Sequence, residues 1–315
     1  MTIRVGIIGR NFVVAWMLAA MEQVPELRPA AIYSRNEETG REFAKKYHLD
    51  AVFTDLEAFA ASDAFDAAYI ASPNICHFEQ AMCLLRHGKH VLLEKPGVLS
   101  RKQAEKLVKT ANANHVVYLE AMRLVFDDAL PIIRDALPEI GTLRRVTAEF
   151  TQYSSRYDRV RAGEPHINAF DPALCNAAIL DMGCYPIHAL ISLFGEPAHV
   201  SAEAYHLESG FEAGGIALLI HLSGLTSLDV SYLAPFSDAR ARRAVLRPLL
   251  VRQKWRDTAL HPQDLKNQGD DHIAVDIQII MICCTYSPNI VRTKEKENKL
   301  LVRYKNKLAI AYVFA

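Results

Sequence analysis

Apolar positions in the first third of the chain alternate between short runs and helical stripes. Ile3–Gly9 is a compact, β-branched run that stops at glycine, the pattern of a strand buried on both faces. Roughly residues 12–23 are apolar nearly all round and predict a helix. Pro29–Tyr33, Asp66–Ala71, His90–Leu93 and Val116–Glu120 predict further strands. Glu37–Tyr47, Ile75–Arg86 and Arg101–Ala113 predict helices, with Asn36 and Ser100 as N-caps of the first and last, and Gln103 near the capping-box position. Strands that alternate with helices of about ten to fifteen residues make βαβ units and a parallel sheet. Right-handed crossovers make it a doubly wound domain ending near residue 122.

The pattern then changes. Asp127–Leu137 predicts a helix, Leu143–Tyr153 a long strand, and Asp181–Leu193 an apolar helix stopped by Gly195. His199–His206, Gly215–Leu222 and Thr226–Leu233 predict strands joined by short turns. The fold class expected is α/β: a doubly wound N-terminal domain, residues 1–122, and an α+β domain with a mostly antiparallel open sheet, residues 123–315.

Of 315 residues, 50% are hydrophobic and 23% charged, and the formal net charge is zero. No global field argues for a nucleic acid or an anionic membrane. The zero hides an asymmetry. Residues 239–315 hold 15 of the 36 Lys and Arg but only 7 of the 36 Asp and Glu, a net +8 against −8 for the rest. Six cysteines form no C-x-x-C pair, and no Cys/His group has zinc spacing, so no metal is expected. The apolar run Ile277–Cys284 is too short to span a bilayer, and the chain starts with no leader pattern. Reduced thiols in a cytoplasm are the simplest expectation.

The first strand–helix junction is where a dinucleotide loop belongs. Gly9 fills the first place of a G-x-G-x-x-G/A pattern, Asn11 stands at the second and Val14 at the third, with Phe12 opening the helix. Asn tolerates left-handed backbone, yet its side chain would crowd a pyrophosphate. An ordinary strand–helix turn is the competing reading. The second strand ends Ser34-Arg35 and carries no acidic residue, which suits a 2′-phosphate and so NADP(H) over NAD(H). The third strand ends Ser72-Pro73-Asn74 with His77 beyond, and the fourth ends Glu94-Lys95-Pro96. Pro96 biases Lys95 away from helix and makes a cis peptide conceivable.

The loop, the S-P-N-x-x-H and E-K-P segments, Glu120-Ala121-Met122, and Asp181-Met182-Gly183-Cys184-Tyr185 together resemble the Gfo/Idh/MocA oxidoreductases over roughly residues 3–235. Tyr185, with Tyr157, Asp158 and Phe170 upstream, resembles the branch of dimeric dihydrodiol dehydrogenases, NADP-dependent xylose dehydrogenases and glucose–fructose oxidoreductase. The resemblance implies a nicotinamide-dependent dehydrogenase acting on a sugar, polyol or diol, and a homodimer. It implies that Gly9, Asn11, Phe12, Ser34, Arg35, Ser72, Asn74, His77, Glu94 and Lys95 hold the cofactor, His77 facing the nicotinamide. Lys95, Tyr185 and Asp181 are the catalytic candidates.

Hydride transfer from an alcohol requires removal of its hydroxyl proton. A phenol titrates near 10 in water, and a nearby ammonium favours the phenolate. Tyr185 as acid/base assisted by Lys95 would meet that need. Asp181 stands at i,i+4 spacing before Tyr185 on the expected helix. Each has a plainer reading: Lys95 as a surface lysine, Tyr185 as a core tyrosine, Asp181 as a helix cap, His77 as a helix-lining residue, His188 as a packed histidine. Arg123, Arg156 and His166 are open between cleft and solvent. A non-catalytic nucleotide-binding regulator, or a degenerate enzyme, is the competing class.

Beyond about Pro235 the resemblance stops. Residues 239–315 contain a single glycine, Gly269, although an antiparallel sheet needs turns. Asp238–Arg256 is basic and Thr293–Lys307 rich in Lys, Asn and Glu. Three readings stand: an unusual completion of the sheet, a basic arm for a partner, and, preferred here, a reading-frame shift that replaced the native C-terminus.

Overall fold

A computed structural model describes residues 2–126, 129–140, 143–151, 154–221, 224–231, 275–282, 299–304 and 307–314. The chain divides into two units, Met1–Arg123 with Ala173–Asn176, and Leu124–Pro172 with Ala177–Ala315.

The first unit runs β1 (Ile3–Ile8), α1 (Phe12–Met21), β2 (Leu27–Tyr33), α2 (Glu37–Tyr47), β3 (Ala51–Phe53), α3 (Leu56–Ala61), β4 (Ala67–Ile70), α4 (Asn74–Arg86), β5 (His90–Leu93), α5 (Arg101–Ala113) and β6 (Tyr118–Glu120). All adjacent strands are parallel, in the order β3-β2-β1-β4-β5-β6. Successive residues of one strand serve opposite faces. Tyr69 and Ala71 pack with Val14, Leu18 and Met21 of α1, whereas Ala68 and Ile70 pack with Phe59 of α3 and Leu84 of α4. Burial on both sides explains why these strands are continuous apolar runs.

Two elements escaped the sequence pattern, the edge strand β3 and the helix α3, each too short for periodicity to register. Their local signal is Asp55, whose Oδ1 accepts the Ala58 N–H at 2.7 Å as an N-cap. The all-round apolar character of α1 also misleads: Phe12 and Trp16 are exposed and meet edge-to-face at 4.9 Å.

At the opposite end of the sheet, Arg4 of β1 grips Asp66, with Nη2 on Oδ1 at 2.7 Å and Nε on Oδ2 at 3.1 Å. This pair pulls the Asp66 carboxyl down to about 2 from the ordinary value near 4. A depressed folded-state value means the pair's stabilisation is present above pH ~4 and is lost as pH falls from about 4 through about 2. Both side chains are more than a third exposed, so the contribution is about 1 kcal/mol or less. Asp66→Asn is expected to flatten this part of the acid-unfolding profile, measured by circular dichroism between pH 5 and about 2.

The second unit carries α6 (Ala129–Ala136), β7 (Leu143–Thr151), α7 (Tyr157–Arg161), a π turn (Ile179–Gly183), α8 (Cys184–Phe194), β8 (His199–His206), β9 (Glu212–His221), β10 (Gly224–Ser231), β11 (Val275–Ile282), β12 (Lys299–Tyr304) and β13 (Lys307–Phe314). The sheet order is β12-β13-β11-β7-β10-β9-β8, parallel on both sides of β7 and antiparallel elsewhere. Its core joins Val146, Ala148 and Phe150 of β7 to Met182, Leu190, Phe211 and Leu219. Strands β11, β12 and β13 come from the compositionally distinct segment and continue this sheet beyond β7. The basic Asp238–Arg256 stretch and Cys283-Cys284 lie outside the described residues. Among the described residues, no helix is long and apolar enough to cross a membrane.

Candidate active site

From β1 the strand order proceeds outward through β2 and β3, then returns to place β4 on the other side of β1. The C-terminal ends of β1 and β4 therefore flank a switch point, the position where open α/β sheets bind ligands. Gly9 closes β1 with φ +115°, and a Cβ there would stand 2.5 Å from the Ala71 carbonyl oxygen. Both the backbone region and the approach of β4 demand glycine.

Asn11 departs from expectation. Its backbone is extended, at φ −79°, and its side chain folds back instead of reaching over the loop. Oδ1 accepts the N–H groups of Val13 and Val14 at 3.0 and 3.2 Å, and Nδ2 donates to Ala71 O at 3.0 Å. Asn11 is thus the N-cap of α1 and a tie to β4. Residues 10–12 form an exposed rim at the start of this ten-residue helix. A turn glycine in the conformation the loop requires, beside an exposed helix start, fits a dinucleotide held by Gly9, Asn11 and Phe12.

At the end of β2, Ser34 is buried, and its hydroxyl donates to Asn36 O at 2.7 Å. Arg35, next to it, is exposed. Ser72 donates to Gln80 Oε1 at 2.6 Å, and Asn74 Nδ2 donates to Cys175 O and Asn176 Oδ1 at 3.0 and 3.1 Å. These side chains secure the wall after β4.

The Glu94-Lys95-Pro96-Gly97 turn is held from four directions. The Glu94 N–H donates to Ile70 O at 2.9 Å. The Glu94 carboxylate accepts the Tyr69 hydroxyl at 2.7 Å through Oε1 and the Lys95 N–H at 3.2 Å through Oε2. Gly97 donates its N–H to Glu120 Oε1 at 2.7 Å, and a Cβ on Gly97 would meet the Tyr118 hydroxyl at 2.8 Å. His77 Nδ1 lies 2.9 Å from Pro96 O and Nε2 lies 2.9 Å from Ser72 O. The Lys95–Pro96 bond is cis. Lys95 itself is half-buried.

His77, expected from the resemblance to face the nicotinamide, is enclosed against this turn. The ring is 1% exposed, and both nitrogens face main-chain carbonyls. Burial pushes its pKa down against the pull of the two carbonyls. A neutral ring carries one N–H, so it donates to one carbonyl at a time and acts as a clamp between the β4 and β5 ends. Burial and the Glu94 carboxylate push the Tyr69 hydroxyl up, and burial with Glu120 pushes Tyr118 up to about 12, so both phenols stay protonated donors. Glu120, from the Glu120-Ala121-Met122 segment, and Tyr69 are positioning residues whose partners sequence reasoning did not supply. Nothing in the chain's spacing pairs residue 97 with 120 or 69 with 94.

In the second unit, the helix expected from Asp181 begins as a π turn, and regular α-helix starts only at Cys184. The residue before α8 is Gly183, with no side-chain cap. Glu212 of β9 anchors this turn by accepting the Ile179 N–H at 3.1 Å. Burial raises the Glu212 pKa. Tyr185 is half-buried, packs edge-to-face on Phe150 at 5.7 Å and borders the core of its unit.

Comparison with known proteins agrees with this architecture. Residues 3–122 match a family model described as "Oxidoreductase family, NAD-binding Rossmann fold", and residues 137–244 match the GFO/IDH/MocA C-terminal domain. The chain is 44% identical over 217 residues to scyllo-inositol 2-dehydrogenase (NADP(+)) IolU of Bacillus subtilis (strain 168), covering 69% of this chain and 66% of that protein. It is 31% identical over 231 residues to dTDP-3,4-didehydro-2,6-dideoxy-alpha-D-glucose 3-reductase of Actinomadura kijaniata, covering 71% and 67%. A crystal structure of a 3-ketoreductase from Actinomadura kijaniata, with NADP and TDP-benzene, superposes with TM-score 0.62 at 28% identity, covering 73% and 70%. The match thus spans about two thirds of the length of these relatives. The chain belongs to the Gfo/Idh/MocA family.

Proposed function

We propose that the protein is an NAD(P)-dependent oxidoreductase acting on a secondary alcohol or the corresponding carbonyl of a sugar, cyclic polyol or diol. The observation that carries this reading is the fourfold hold on the E-K-P turn, which presents Lys95 at the C-terminal edge of the sheet, one strand from the Gly9 loop's partner β4. A merely solvated lysine would need no such frame. Names of the similar proteins agree on substrate class: an inositol, a keto sugar nucleotide and a dihydrodiol.

When bound, the nicotinamide supplies the hydride donor or acceptor. Tyr185 Oη takes the substrate hydroxyl proton in oxidation and returns it in reduction. Lys95 Nζ orients the substrate oxygen and favours the phenolate by its charge. Asp181 hydrogen-bonds substrate. Arg35 holds a 2′-phosphate, so NADP(H) is the preferred cofactor.

Titration with NADPH and NADH, followed by nicotinamide fluorescence, tests the reading. Micromolar NADPH binding with weaker NADH binding supports it and leads to a screen of inositols, aldoses and cyclic diols. Folded protein that binds neither cofactor overturns it. Folded protein that binds NADPH but turns over none of the screened compounds favours the non-catalytic alternative. Arg35→Ala is expected to weaken NADPH about ten- to hundredfold, the worth of a hydrogen bond to a charged group, and to leave NADH unchanged.

A further inference from the structure

Three ligand atoms of metal-binding type converge on the outer face of the first unit, away from the residues discussed above. Cys83 and His87 stand one turn apart at the C-terminal end of α4, and Glu57 comes from the packed helix α3. Their ligand atoms all lie within 4.8 Å of one another. Around a tetrahedral zinc, ligand atoms lie roughly 3.3–3.8 Å apart, given metal–ligand distances of about 2.0–2.3 Å.

The histidine is set as a ligand. Its Nδ1 lies 2.9 Å from Cys83 O, a carbonyl that only accepts, so Nδ1 carries the hydrogen. Nε2 lies 3.5 Å from Glu57 Oε2. A backbone carbonyl on the opposite ring nitrogen is the usual outer partner of a metal-bound imidazole. The Cys83 thiol lies beneath, in weak contact with Leu56 O at 3.9 Å. Burial and the neighbouring Glu57 carboxylate push the thiol up to about 12, so a bound cation has to displace its proton.

We propose that Glu57, Cys83 and His87 bind one divalent cation of the zinc class, with solvent in the fourth position. Binding forms a sulfur–metal bond and releases the thiol proton to solvent. The ion clips α3 to α4. Neither helix supplies a complete site alone.

Reduced full-length protein titrated with Co2+ tests this. The expected result is a thiolate-to-cobalt charge-transfer band that saturates at one equivalent and disappears on adding Zn2+. Cys83→Ser should lose the band while keeping its circular dichroism spectrum. His87→Ala should weaken Co2+ binding about a hundredfold, since even outer-shell partners of metal ligands are worth roughly 10–100-fold. Should Cys83→Ser not fold, the surface change Glu57→Gln must still weaken binding at least tenfold. No band in the unaltered protein, or an undiminished band in Cys83→Ser, overturns the proposal. The contacts then reflect an imidazolium–carboxylate pair over a buried thiol.

Discussion

Replacing Lys95 with alanine is expected to lower kcat by about 10²–10⁴-fold, the range of a positioned proton-transfer or charge-stabilising group. Tyr185→Phe is expected to fall in the same range. The ring would keep its contact with Phe150 and lose only the hydroxyl. Steady-state rates with a substrate from the screen measure the loss, and NADPH titration of each variant separates turnover from binding. The Lys95 substitution removes a half-buried side chain from a turn whose main chain is fixed by Glu94, His77 and Glu120, so the fold should persist. A variant that binds NADPH and retains more than a tenth of the rate would return Lys95 to the status of a structural lysine. A rise in KM alone would indicate that the ammonium orients substrate without sharing in the proton transfer.

Gly9→Ala should be the most damaging single methyl in the first unit. The residue sits at φ +115°, where L side chains are strained, and the new Cβ would meet the Ala71 carbonyl oxygen at 2.5 Å. Backbone strain of about 1–3 kcal/mol adds to overpacking of similar size. The sum, about 2–6 kcal/mol, is a large fraction of a typical domain's stability of about 5–15 kcal/mol. Since β4 cannot yield without moving Ala71 off Ile8 O and Asn11 Nδ2, the loop should open, and NADPH affinity should fall at least tenfold. Gly88→Ala is the control: φ is +71°, but nothing lies within 4 Å of its Cβ, so only strain of about 1 kcal/mol is expected. Urea midpoints of the two variants separate clash from strain. Equal shifts would mean that Ala71 moves freely and that the β1–β4 junction is not rigid.

The C-terminal segment raises a separate question. The second family model ends at residue 244, near the point where acidic residues thin out. Strands β11 and β13 nonetheless pair through seven residues in antiparallel register. Short apolar runs such as Val275–Ile282 pair readily wherever an edge is offered, so pairing does not reveal the origin of the sequence. We propose a shifted reading frame. Resequencing the gene and finding one uninterrupted frame shared with intact relatives would refute it.

By itself the sequence determined the alternation of strands and helices in the first unit, because double-sided burial writes each strand as a continuous apolar run. It also determined the placement of Gly9 and Lys95 at strand ends, because those ends follow from where the runs stop. Local caps at Asn36 and Ser100 were legible for the same reason: N-cap chemistry acts within three residues. Only the tertiary structure decided what Asn11, Ser34 and His77 do with their polar atoms, since Ala71 is 60 residues from Asn11 and Pro96 is 19 from His77. It alone placed Glu120 on Gly97, Glu212 under the π turn, and Glu57 against Cys83 and His87. Periodicity reports which face of an element is buried. It carries no information on which distant carbonyl or carboxylate a buried polar group meets, and that pairing is what distinguishes a residue that touches ligand from one that holds the wall behind it.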